Sequence, residues 1–133
     1  MNFDRYVGVP YRDLGRDHDG CDCYGLVVLV FAELRGVALP SFTGSYRSAA
    51  DVRATAALIA GERDPWDEIA AGDEDAFDAV LLREGREVSH IGLVTSPGQM
   101  LHVARGHAAR IERYRHGRLA HRIVGFYRFR GYE

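Results

Sequence analysis

The chain reads as an α+β domain, and three observations carry that reading. A nearly unbroken apolar run, Leu26 to Leu34, lies between a capping residue and a glycine. Helical spacing recurs once more before residue 61. From Phe77 onward, apolar and polar residues alternate at strand period between turn residues. At 133 residues, 47% of them hydrophobic, the chain can bury one core without disulfide staples, so it is expected to form a single domain, 1–133.

Residues 1–20 suggest a first helical turn followed by a loop rich in Gly, Asp and Arg, with Tyr6, Tyr11 and Val7-Gly8-Val9-Pro10 offering packing surface. Periodicity cannot separate helix from strand in the apolar run, but its boundaries can. Asp22 suits an N-cap and Gly36 a C′ position, and the run between them is long for a strand, so a buried helix is expected to start at Cys23. Residues 37–47 form a turn-rich connection through Pro40 and Gly44. Ser48-Ala49-Ala50-Asp51 has a capping-box pattern, with Val52, Ala56 and Ile59 at helical spacing behind it. Residues 62–76 are expected to be a solvated acidic loop around Asp64-Pro65-Trp66. Strands are then expected over Phe77–Arg83, Val88–Thr95, Gln99–Ala104, Arg110–Tyr114 and Arg122–Arg130, as an antiparallel meander.

Composition excludes several classes. The formal net charge is −2, which argues against general nucleic-acid binding. All 17 basic residues are arginine, which points to codon bias and not to recognition. The charge is nonetheless segregated: Glu62 to Glu84 holds nine acidic residues against Arg63 and Arg83, and Leu101 to Glu133 holds eight arginines against Glu112 and Glu133. Such segments most often form faces that pair with each other, although an arginine-rich face could also meet an anionic polymer. No apolar run reaches the ~20 residues of a membrane span, so no membrane insertion is expected. The start lacks a basic region followed by an apolar one, so manufacture in the cytoplasm without a secretory signal is expected.

The chemistry centres on Cys23. Cys21 and Cys23 are too close for a relaxed disulfide, leaving two thiols. A thiol at the positive end of a helix dipole is expected to have a lowered pKa, and Gly20 and Gly25 would leave room for another backbone to approach. A buried structural cysteine is the alternative. If the strands on either side of Ser96–Gly98 pair, His90 and His102 come close to opposite each other, and both could face the helix. Thiol, histidine and a polar group orienting that histidine form the nucleophile–base–orienter pattern of cysteine hydrolases. His18, Cys21, Cys23 and a distant histidine fit no common zinc spacing. His107, His116 and His121 are expected to be solvated.

Four stretches resemble the NlpC/p60 family of papain-like cell-wall cysteine peptidases. These are Tyr11-Arg12 with Gly20-Cys21-Asp22-Cys23-Tyr24-Gly25-Leu26, Phe77-Asp78 with the apolar strand after it, Ser89-His90-Ile91-Gly92-Leu93, and Gln99-Met100-Leu101-His102-Val103-Ala104. They occur in the family's order across nearly the whole chain, with Phe77 where glycine is usual. The wording from Gly15 to Val27, with Leu39-Pro40 beyond it, is most similar to short versions from tailed phages and gene-transfer particles. The resemblance implies a papain-like fold, with N-terminal helices and the nucleophile at a helix N-terminus packed on an antiparallel sheet. It implies Cys23 as nucleophile, His90 as base and then acid, and His102 holding the His90 ring. Tyr11 beside Cys23 would help the Cys23 backbone N–H to stabilise the oxyanion, and Cys21 would be a packed small residue. It further implies cleavage of peptidoglycan stem peptides, typically at D-γ-glutamyl–meso-diaminopimelate, with no metal or organic cofactor. Phage-like tail-tip or hub proteins are the expected partners, placing the protein in a virion tail and its action in the cell wall or periplasm. A structural plug or connector on the same fold is the alternative.

Overall fold

The computed structural model describes residues 2–39 and 66–130. A 3₁₀ turn, Phe3–Tyr6, opens the chain, followed by the two-residue antiparallel strands β1 (Arg16–Asp17) and β2 (Gly20–Cys21). The expected helix is present as α1, Cys23–Val30, and continues as a π-helical turn over Phe31–Arg35. Gly36, at φ 65°, closes it in the left-handed conformation that glycine adopts at least cost. The expected second helix after Ser48 lies outside the described residues.

The expected acidic loop is part strand. Trp66–Ile69 forms β3, paired antiparallel with the last strand from Trp66↔Phe129 to Ile69↔Phe126. Trp66 is buried against Phe31 and Phe129, and that aromatic contact outweighs the poor strand tendency of the exposed Asp67 and Glu68. Strands β4 (Ala79–Glu84), β5 (Glu87–Ser96), β6 (Gln99–Ala104) and β7 (His107–Arg113) follow as a meander. The last strand, β8 (Ile123–Phe129), reached through a 3₁₀ segment over Gly117–Arg122, returns to the far side of β4. The six-stranded order is therefore β3-β8-β4-β5-β6-β7 and not a simple meander.

Phe77 precedes β4 with φ 74°, a conformation costly for a residue with a Cβ and open to the glycine usual there. Packing of its ring against Phe3 and Phe31 holds it in place, and the Arg35 guanidinium covers it at 4.5 Å.

Strand alternation divides the core. Ala79, Leu81, Ile91, Leu93, Leu101 and Val103 lie under α1. Val80, Leu82, Val94 and Met100 face the other way, against Tyr114, Leu119 and Phe126. The charge segregation resolves into cross-pairing, as Asp67 meets Arg130 at 2.6 Å, Glu74 meets Arg115 at 3.2 Å and Asp78 meets Arg128 at 2.8 Å. The acidic side is less solvated than expected, because the Glu74 and Asp78 side chains are each only 2% exposed.

Candidate active site

Asp22 builds the thiol end. It is fully buried and caps α1, accepting the Gly25 N–H at 2.7 Å. Its other oxygen accepts the Leu14 N–H at 3.1 Å, and Arg16 Nη1 donates to Oδ1 at 2.9 Å. One carboxylate therefore fixes both the helix start and the preceding loop, including Leu14 at φ 61°. The glycines serve this internal packing. A Cβ on Gly25 would collide with the Gly15 carbonyl, and one on Gly20 with the Arg12 side chain, so the approaching groups are the chain's own.

Cys23 is only 4% exposed and belongs to the core beneath α1. Burial pushes its thiol up to about 12, against the lowering effect of hydrogen bonds from the Ile91 and Tyr24 backbone N–H groups. The helix terminus therefore does not yield a resting thiolate as expected, because desolvation outweighs the dipole. Cys21, likewise buried, donates its S–H to the Asp17 carbonyl at 3.2 Å, which fits the packed role expected of it.

The histidines occupy the other face of the sheet. His90 pairs with Leu82, and His102 shares the parity of Met100, so neither lies on the face under α1 as expected. Nor are they directly opposite. The register through Leu93↔Leu101 sets His102 across from Gly92 and leaves His90 diagonal to it. Gly92 leaves this corner open, since a Cβ there would crowd Met100. His90 Nε2 then reaches His102 Nδ1 at 2.8 Å. β5 and β6 pair from Leu93↔Leu101 to Ser96↔Gln99, and both strands run on beyond Leu93 and Leu101. In that further stretch the Ile91 N–H, next in chain to His90, meets the Cys23 sulfur. The backbone of β5 is thus the element the thiol and the His90 ring share.

The chain of rings continues to a residue absent from the sequence reading of the site. His102 Nε2 lies 2.8 Å from Glu112 Oε1, and Arg110 and Arg118 reach the same oxygen at 2.7 and 2.8 Å. Counting back across the Arg105-Gly106 turn would have found it, since His102 pairs with Arg110 and Met100 with Glu112. Expecting the strand only from Arg110 concealed that hairpin. Burial lowers the pKa of both histidines, and the pair is neutral near pH 7. Burial also opposes charge on Glu112, but the His102 hydrogen bond and the two arginines prevail and hold its carboxyl below the usual range.

Tyr11 stands near Cys23, bridging to Cys21 in a parallel contact, and the thiol's proximity contributes to its raised pKa after burial and Asp13. Its hydroxyl donates to Asp13 Oδ1 at 2.7 Å, so in this state it is not free to act as the expected oxyanion donor. His107, His116 and His121 are exposed, as expected. Among the described residues, no group of three or more His, Cys, Asp or Glu side chains is placed to hold a metal ion, and no helix is long and apolar enough to cross a membrane.

Comparison with known proteins agrees with this architecture. The NlpC/P60 family matches residues 8–128. The NlpC/p60 domain of the peptidoglycan hydrolase SagA superposes with a TM-score of 0.65 at 18% identity, over 92% of this chain and 89% of that one. A Staphylococcus aureus protein described as similar to lipoprotein, NLP/P60 family, gives 0.65 at 22% identity, over 94% of this chain and 38% of that one. The peptidoglycan hydrolase RipB of Mycobacterium tuberculosis gives 0.58 at 22% identity, over 94% and 59%. This chain thus spans most of the SagA domain but less than two thirds of the other two proteins. At these identities the likeness concerns the fold. Comparison with curated proteins gives no match.

Proposed function

The chain belongs to the NlpC/P60 family, and from that premise we propose that it is a cysteine peptidase of the bacterial cell wall. Its substrate would be the peptide stem of peptidoglycan, at the D-γ-glutamyl–meso-diaminopimelate amide. The observation that carries the reading is the hydrogen-bonded pair His90–His102, with His90 on the strand whose next residue, Ile91, gives its backbone N–H to the helix-terminal Cys23 thiol. With His90 Nε2 engaged by His102, Nδ1 is the nitrogen left for the proton of Cys23.

The steps follow from that assignment. Both groups rest neutral, so the thiol proton passes to His90 Nδ1 as sulfur attacks the carbonyl carbon. The Cys23 backbone N–H is the oxyanion donor of this scheme, joined by Tyr11 if its hydroxyl leaves Asp13. The imidazolium then returns its proton to the leaving amine, which departs and leaves a thioester on Cys23. Water, deprotonated by the now neutral His90, releases the acid product and the thiol.

Muropeptides incubated with the protein and analysed by mass should split at one stem amide, and the Cys23→Ala protein should leave them intact. Unchanged muropeptides with the unaltered protein would overturn the assignment.

The phage-like wording of Gly15 to Val27 supports delivery at a phage-like tail tip, with action in the wall or periplasm and hub proteins as partners. Particles purified from cells making the protein should contain it, and its confinement to the free soluble fraction would defeat that part of the proposal.

A further inference from the structure

Glu112 has no part in the reaction as written above, yet its surroundings are built in detail. Its Oε1 receives His102 Nε2, Arg110 Nε and Arg118 Nη2, and its Oε2 receives Arg118 Nη2 at 3.0 Å. Two guanidinium groups keep the carboxylate ionised, and an ionised carboxylate only accepts hydrogen bonds. The proton between it and His102 must then sit on His102 Nε2. A neutral imidazole carries a single N–H, so His102 Nδ1 is bare and can only accept from its neighbour. That neighbour is His90 Nε2, 2.8 Å away, which must carry the proton of its own ring. His90 Nδ1 is left as a lone pair. One fixed charge therefore dictates the protonation pattern of two rings in series.

We propose that Glu112 is a positioning residue which, by accepting the His102 Nε2–H, sets the tautomers of both imidazoles and leaves His90 Nδ1 basic. This deepens the reading of Cys23 and His90 given above and rests on it for its effect on rate. The arginines make the carboxylate's role sharper than simple anchoring. Without Glu112, Arg110 and Arg118 are the groups facing His102 Nε2, and both are donors only. They favour the ring with Nε2 bare and Nδ1 protonated, which then donates to His90 Nε2 and moves the His90 proton to Nδ1. The whole chain inverts, and the nitrogen meant for the thiol is already occupied.

The test uses the full chain with ¹⁵N-labelled histidine and reads tautomers by long-range ¹H–¹⁵N correlation, alongside kcat and KM on purified muropeptides. In the unaltered protein both rings should be Nε2–H. Glu112→Ala should shift both toward Nδ1–H and lower kcat by about 100-fold or more at nearly constant KM, as a wrong-tautomer histidine does in other triads. Glu112→Gln, whose amide oxygen can still accept, should restore the tautomers and most of kcat. Folded Glu112→Ala protein with unchanged tautomers and kcat would overturn the proposal. So would an Nδ1–H ring in the unaltered protein, which settles the matter even if the alanine variant does not fold. Because tautomers are read without substrate, inversion in a protein that never cleaves muropeptides would sink the hydrolase reading and uphold this one.

Discussion

Asp22 and Glu112 each hold one half of the site with arginine at their side, yet they are built differently. Asp22 is fully buried, pairs with Arg16 at 2.9 Å, and accepts the backbone N–H groups of Leu14 and Gly25. Glu112 keeps 23% of its side chain exposed, has two arginines, and faces an imidazole. A buried carboxylate bonded to main chain defines backbone shape, so its loss is felt in folding. A partly exposed carboxylate bonded to a titratable ring defines a proton's position, so its loss is felt in rate. The thiol arm is therefore stabilised through structure and the imidazole arm through charge.

The largest effect that would sharpen this contrast lies at the reacting groups. Cys23→Ala should abolish hydrolysis and His90→Ala should cost on the order of 10⁴-fold or more in kcat, whereas Cys21→Ser should retain most activity. If Cys21→Ser were the inactive variant in a muropeptide assay, the thiol arm would have been assigned to the wrong residue. Because Cys23 is packed in the core, Cys23→Ala is also expected to lower the melting temperature modestly, unlike a change at an exposed helix start.

Next comes Asp22→Ala. Removing it leaves the Arg16 guanidinium, only 16% exposed, without that carboxylate and strips the cap from α1. A loss of about 3–5 kcal/mol is expected, a large share of the ~5–15 kcal/mol that stabilises a typical domain. Urea titration should show it as a lower midpoint. A near-normal midpoint with lost activity would reverse the contrast and make Asp22 the charge-setting residue.

Acid should weaken the imidazole arm. His90 and His102 have folded pKa values below their unfolded ones, so the unfolded state binds protons first. Their contribution is complete above the ordinary histidine pKa of about 6.5 and is lost as pH falls below it, toward about 3 for His90. Melting temperature should therefore drop between pH 7 and 5, and His90→Gln should flatten that drop. An identical slope in the variant would show that other groups carry it.

The smallest effect is expected at Tyr11→Phe. Its hydroxyl donates to Asp13, which also holds Arg105 in a two-pronged contact at 3.1 Å, and the ring itself remains under Arg105. Stability should change by about 1 kcal/mol, and any larger fall in kcat at constant KM would assign the hydroxyl to the oxyanion.

The amino-acid order by itself determined what rests on neighbours along the chain. The Asp22 cap and the Gly36 stop bounded α1 because capping is a matter of three or four residues. The strands around His90 and His102 declared themselves by alternation, and the motif words carried the family. The helical pattern after Ser48 falls outside the described residues and stands as an expectation. Only the tertiary structure decided the rest, and in each case through distance or desolvation. Trp66 became an edge strand because Phe31 and Phe129 wait for it. Strand parity, once the register was set, turned the histidines away from the face beneath α1. Burial reversed the direction expected for the Cys23 thiol, since the cost of desolvating a charge depends on everything packed around it. Glu112 acquired its meaning only when β7 folded back on β6, because a carboxylate among arginines is an ordinary surface group until a ring is brought to it.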